Sequence, residues 1–317
     1  MKKILLTVFA LVLALSCFVA CGTTENTTAA ETTTEGTGNV ETPTEKNYSL
    51  VVVMDSAVNA TSNKVSNTVL ALVIDADNKI VAARFDAVDA TPALDADGNL
   101  VAVTSVQTKV EQGDAYTGMA AGSWAKQTKA FEDAIVGKTA DEVASLDMTL
   151  VAGCTMASTP ATFKALVAKA FASTNKVSFK TSETVTVGVA VSTAVKNGKG
   201  GKITVGSDVA GTVLAGGKVV ATMIDSCEQS FTVEEGAIVA GTLAVSKNDQ
   251  GEGYTGMPAG PWYKQAQAFA DSTVGKTVAE LADLETVSDA LAAAGCTMQN
   301  TTAGYKTTII AAAGYAR

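Results

Sequence analysis

The chain has no histidine among its 317 residues. That absence removes Ser-His-Asp and Cys-His catalysis, histidine-ligated zinc and histidine-ligated haem. Aromatic residues are scarce too, at 5% against 47% apolar residues overall. Real cores are therefore expected, filled largely by Val, Ala, Leu and Thr. Basic residues are outnumbered, 23 against 32 acidic, for a formal balance of −9. Nucleic acid is excluded as an expected partner, because neutralising its phosphates takes clustered Lys and Arg. Beyond the N-terminal stretch only Cys154, Cys227 and Cys296 remain. Three cysteines cannot complete a disulfide framework within one chain, and nothing suggests a metal cluster. Cys154 and Cys296 read as small buried fillers of alanine's space.

The N-terminus carries Lys2 and Lys3, then a largely apolar stretch from Ile4 to Ala20. This pattern reads as a secretory signal over residues 1–20. Its end, Phe-Val-Ala-Cys-Gly, resembles the lipobox of bacterial lipoproteins, which implies cleavage before Cys21 and lipidation on it. The expectation is a membrane-held protein on the extracytoplasmic face of the cell membrane, with several acyl chains giving a stable anchor. Without Lys2 and Lys3 the balance is 32 acidic against 21 basic residues, so anionic lipid should repel the folded part. Residues 21–46, rich in Thr, Glu, Asn and Gly, have almost nothing to bury and are expected to form a disordered tether.

The remainder repeats itself. GDAYTGMAAGSWAKQTKAFEDAIVGKT (113–139) aligns with GEGYTGMPAGPWYKQAQAFADSTVGKT (251–277) at an offset of 138. DNKIVAARFD (77–86) aligns with GGKVVATMID (216–225), and LVAVTSVQTK (100–109) with IVAGTLAVSK (238–247). The phrase Gly-Cys-Thr-Met occurs at 153–156 and 295–298, 142 residues apart, so the second copy carries four extra residues near LETVSDAL. A boundary near Lys176 is expected, giving repeats at 47–175 and 176–317. The fold class expected is α+β, with two tandem homologous domains, each a small antiparallel sheet with packed helices.

Local signals are consistent between the copies. Gly216-Gly217 and the turn at 76–79 sit between β-rich runs and favour tight hairpins. Asp97-Gly98 reads as a further hairpin turn, since the later ligands of a calcium loop are missing. A helix should begin near Ser123 or Pro261, burying Trp124, Thr128, Phe131 and Ile135, or Trp262, Ala266, Phe269 and Thr273. Gly137 and Gly275 would stop it. The Gly-Lys-Thr at 137–139 and 275–277 is not a phosphate loop, because Glu132 and Ala270 stand where that loop needs glycine. Thr139 with Glu142, and Thr277 with Glu280, instead form capping boxes. After each Gly-Cys-Thr-Met phrase a third helix should start near Ser158 or Thr159, or Thr301 or Thr302. Free N–H groups and the helix dipole favour an anion there.

This order of a hairpin, a helix ending in Val-Gly-Lys, a small-residue phrase and a closing helix resembles the extracellular FMN-binding domain family, over roughly 65–172 and 203–315. That family's phrase is typically Asp-x-x-Ser-Gly-Ala-Thr, whose Thr can be joined to FMN phosphate. The resemblance implies Thr155 and Thr297 as acceptors, Gly153 and Gly295 as close-approach glycines, and Cys154 and Cys296 in place of Ala. The family's Ser falls on Ala152 and Ala294, and its Asp on Thr149 and Leu291, with Asp147 and Asp289 two residues earlier. Tyr116, Met119, Tyr254 and Met257 are candidates for the flavin wall; Trp124 and Trp262 read rather as core plugs. Two functions follow: an anchored electron carrier holding FMN and working with redox proteins of the envelope, or a non-redox lipoprotein binding a small molecule or an envelope protein. Neither is an enzyme in its own right.

Overall fold

The computed structural model describes residues 44–116, 120–156, 159–254, 257–298 and 302–317. The signal segment, Cys21, the tether up to residue 43, and Met119 lie outside these.

The protein is mixed α+β, with two antiparallel sheets and several helices. Strands β1 (Lys46–Asn59), β2 (Lys64–Asp75), β3 (Ile80–Ala90) and β4 (Val177–Thr181) form one sheet in the order β3-β2-β1-β4. Strands β5 (Val185–Asn197), β6 (Ile203–Ala215), β7 (Lys218–Glu234) and β8 (Ala237–Ala240) form the other, in sequence order. Between β3 and β4 come helices α1 (Lys109–Gln112), α2 (Trp124–Ile135), α3 (Ala140–Ala144) and α4 (Thr159–Ala172). After β8 come α5 (Lys247–Gln250), α6 (Trp262–Asp271), α7 (Asp289–Ala293) and α8 (Thr302–Gly314).

The turns form where the sequence places them. Gly216 and Gly217 both take positive φ, 56° and 75°, as a two-residue hairpin between right-twisted strands requires. The Asp95 carboxylate accepts the N–H groups of Asp97 and Asn99, at 3.0 and 2.8 Å, so it closes its own hairpin turn. Thr139 and Glu142 make a reciprocal capping box at α3, and Thr277 and Glu280 exchange the same bonds. The helix faces match expectation, with one difference. Whereas α2 runs to Ile135, α6 stops at Asp271, and Thr273 is buried beyond its end. The Ser272 and Thr273 hydroxyls donate to the Phe269 and Ala270 carbonyls, each at 2.6 Å, competing with the backbone ladder there.

Both faces of each sheet are covered. From β1 and β2, Val51, Val53, Leu70, Leu72 and Ile74 meet α2, α3 and α4. Their neighbours Leu50, Val52, Val69, Ala71 and Val73 turn the other way, against Val187, Val189, Val209 and Val213 of the second sheet. The far face of that second sheet carries Ala190, Ala210, Val219 and Ile224 against α6 and α8. The result is four layers, helix–sheet–sheet–helix, and the described residues form one compact unit. Each fully buried Val or Leu in these layers contributes about 1.5–3 kcal/mol.

Close approach is what makes the aromatic-poor composition workable. A Cβ at Gly211 would lie 2.5 Å from Val52 and 2.9 Å from Ala71, so the sheets touch at a glycine. At Gly188 a Cβ would lie 1.8 Å from the Ala312 carbonyl oxygen, where α8 crosses β5. The halves also share strand pairing. Strand β4 pairs with β1, while Val103 of the first half bridges to Val195 of β5.

Candidate functional site

The two Gly-Cys-Thr-Met phrases each open on a turn glycine of positive φ, Gly153 at 80° and Gly295 at 98°, and continue without regular secondary structure toward α4 and α8. Side chains alternate along them. Cys154 and Met156 point into the first helix–sheet core, and Cys296 and Met298 into the second. Between each pair stands a threonine turned outward, Thr155 exposed and Thr297 half-buried. Cys154, Cys227 and Cys296 are all free and buried. The first and last fill core space, as expected for alanine-sized residues, and burial pushes the Cys296 thiol up.

A glutamine holds each threonine. Gln127, fully buried on α2, accepts through Oε1 from the Thr155 N–H at 2.6 Å and from its hydroxyl at 3.1 Å. Its Nε2 donates to the Gly122 carbonyl at 3.1 Å, and the Ala121 N–H donates to the Thr155 hydroxyl at 3.1 Å. Gln265 does the same in the second half. It accepts from the Thr297 N–H at 2.9 Å and its hydroxyl at 2.7 Å, and donates to the Gly260 carbonyl at 2.9 Å. One buried side-chain amide thus ties the phrase to the loop preceding α2 or α6, and satisfies its own polar atoms in doing so.

One helical turn back lies a cation set against aromatic rings. The Lys109 ammonium sits 5.3 Å from the Tyr116 ring and 5.9 Å from Trp124. Lys247 repeats this at 5.3 Å from Tyr254 and 5.4 Å from Trp262. Each cation also meets an acid: Asp89 at 3.4 Å, and Glu228 at 3.6 Å. Tyr116, Tyr254 and Met257 are half-buried against the helix–sheet cores. Trp124 and Trp262 are core plugs, each 2% exposed.

Beneath the lysines are buried carboxylates. Asp86 accepts from the Val110 and Ala87 N–H groups at 3.1 and 2.7 Å; Asp225 accepts from those of Asn248 and Ser226 at 3.0 and 2.8 Å. Together with Thr108 and Ser246, the N-caps of α1 and α5, they fix the short helices that carry Lys109 and Lys247. Burial pushes Asp86 up to about 7 and Asp225 up to about 6, against which their hydrogen bonds work only in part.

The residues singled out in the sequence therefore divide. Gly153, Thr155, Gly295 and Thr297 lie at the clasps, and Tyr116, Tyr254 and Met257 pack beside α1, α2, α5 and α6. Asp147 does not reach the phrase, because its carboxylate accepts the Thr149 N–H and hydroxyl at 2.9 and 2.8 Å. Asp289 lies in the first turn of α7. Sequence reasoning missed Gln127 and Gln265, Lys109 and Lys247, and Asp86 and Asp225. The available signal was their identity in matched columns of the two copies. No family model, curated protein or solved structure matches the chain.

Proposed function

We propose that the protein is an extracytoplasmic lipoprotein, anchored through Cys21, that binds FMN and carries electrons rather than catalysing a reaction of its own. In this reading residues 47–175 and 176–317 are two copies of one domain related to the extracellular FMN-binding family. The observation that carries it is the clasp, built twice. A solvent-facing threonine precedes a helix of 14 or 13 residues, and a buried glutamine holds it in place. The residues present suit the cofactor's two ends. Thr155 and Thr297, with the N-terminal turns of α4 and α8, would take the phosphate. Tyr116, Tyr254 and Met257 offer half-buried apolar surface for the ring. Bound flavin supplies reversible electron transfer; the chain's part is to orient the threonine hydroxyl and keep its neighbours dry.

A second reading, a non-redox binding lipoprotein of the envelope, is favoured by one observation. The Thr155 hydroxyl already donates to Gln127 and accepts from Ala121, which is a sufficient structural role. Mass spectrometry of protein purified from its native host separates the two. The first reading expects a yellow protein with FMN adducts on Thr155 and Thr297, lost in the Thr155→Val, Thr297→Val double variant without loss of fold, and lipid on Cys21. A colourless protein free of FMN gives the second.

A further inference from the structure

The second half has a cleft of about 480 Å³ between the outer face of α6 and the segment leading into and through α7. Two features of the chain coincide with it. The four residues by which the second copy exceeds the first fall between Lys276 and Gly295, and this longer segment forms one wall through Asp283, Leu284, Glu285 and Leu291. The phrase has also moved off the helix. A Cβ at Gly153 would touch the Ala130 side chain at 3.6 Å, whereas one at Gly295 would meet nothing within 4 Å, and Ala268, the counterpart of Ala130, lines the cleft.

The charges at the cleft differ between the halves as well. In the first half Asp133 pairs with Lys129 at 2.5 Å. Gln267 occupies the corresponding column, and its uncharged Nε2 donates to the Asp271 carboxylate at 2.6 Å without neutralising it. Asp271, Asp283 and Glu285 all border the cleft, and among the described residues none of them forms an ion pair. Among the described lining residues Lys276 is the one cation on the rim, against these three carboxylates, while the Lys306 ammonium is held by the Leu284 carbonyl at 3.0 Å. Leu284 and Leu291, each 7% exposed, form an apolar wall below that rim. The volume falls within the range of about 300–1,000 Å³ typical of small-molecule sites.

We infer that this cleft of the second half is a binding site for a small organic ammonium ion with an apolar body, separate from the Thr297 clasp. The ammonium meets the Asp271, Asp283 and Glu285 carboxylates, and the apolar body lies against Leu284 and Leu291. Calorimetric titration of the folded protein with 2-phenylethylamine tests this, with phenylacetate as the control of reversed charge. Saturable binding of the amine, with a dissociation constant on the order of 1 mM or tighter, is expected, with none for phenylacetate. The Asp283→Asn, Glu285→Gln variant should weaken the amine by about fivefold, as loss of exposed charge contacts would. Ala268→Phe, which fills the cleft, should abolish binding, while Thr297→Val should leave it unchanged. Failure of the amine to saturate, equal binding of phenylacetate, or unaltered affinity in the charge-neutralised variant overturns the assignment. None of these readouts depends on flavin.

Discussion

In the first half Trp124 meets Phe163 edge-on at 5.9 Å, and in the second Trp262 meets Tyr305 edge-on at the same 5.9 Å. The ground beneath these matching contacts is different. Phe85 and Phe163 stack in the first core at 4.3 Å, and Phe131 meets Phe85 edge-on at 5.7 Å and lies tilted against Phe163 at 5.3 Å. Ile224, Phe269 and Tyr305 hold the corresponding columns of the second. The first half also buries a charge. Glu132 accepts the Phe85 N–H at 2.8 Å and pairs with Arg84 at 3.1 Å and with Arg317 at 3.2 Å, while Arg84 donates in turn to the Arg317 carbonyl. Met223 and Ala270 stand in the columns of Arg84 and Glu132 in the second half. One arrangement of clasp, cation and aromatic rings is thus supported by two unlike cores. What the halves keep in common is the glutamine–threonine tie and the lysine set against Tyr and Trp, and what they vary is the filling behind them.

The sharpest break in this comparison is at Glu132. Glu132→Ala leaves the half-buried Arg84 without its carboxylate and the buried Phe85 N–H without its acceptor, and should destabilise by about 2–4 kcal/mol in urea unfolding. Installing the second half's pair, Arg84→Met with Glu132→Ala, should recover most of that loss, since an apolar pair can replace a buried ion pair at little cost. If the double variant is no better than the single, the two halves do not exchange cores.

The clasps should respond alike. Gln127→Ala and Gln265→Ala each strand polar groups of the phrase and the preceding loop, for a cost of about 1–3 kcal/mol. Faster hydrogen exchange at the Thr155 amide in the first variant, and at the Thr297 amide in the second, localises the effect. A loss confined to one half would show that only one clasp is structural.

The finest contrast is in pH. Asp86 and Asp225 ionise near 4 in the unfolded chain but near 7 and 6 when folded. Within those windows the folded state binds the extra proton, so the stability these two groups contribute is full below about 4 and is lost as pH rises through about 6 for Asp225 and about 7 for Asp86. Asp225→Asn should flatten the stability profile up to pH about 6, and Asp86→Asn up to about 7. The difference of about one unit between them corresponds to about 1.4 kcal/mol. Urea unfolding across a pH series measures both.

Much of the local structure was legible. Gly216-Gly217, the Asp97-Gly98 turn, the Thr139–Glu142 and Thr277–Glu280 boxes and the start of α2 at Ser123 follow from short-range chemistry that neighbouring residues carry themselves. The second face of each sheet was not legible. Runs such as VLALVID lack the two-residue alternation of a half-exposed strand, because Leu70 and Leu72 face helices while Val69 and Ala71 face another sheet. Such a run announces that it is buried without saying by what. Gln127 was missed for a related reason. A glutamine among lysines on a helix reads as a solvated side chain, and only its seat beneath Thr155 makes it a buried tie.

By itself the sequence determined the hairpin turns, the capping boxes, the start of α2 at Ser123 and the burial of Cys154 and Cys296. These depend on backbone freedom, capping and side-chain period, all of which act over a few residues. Only the tertiary structure decided that the two sheets share one core, that β4 completes the first sheet, and that the longer segment of the second half walls a cleft. Those outcomes depend on which distant surfaces meet. At Gly211 and Gly188 that meeting is possible only because no side chain stands in the way.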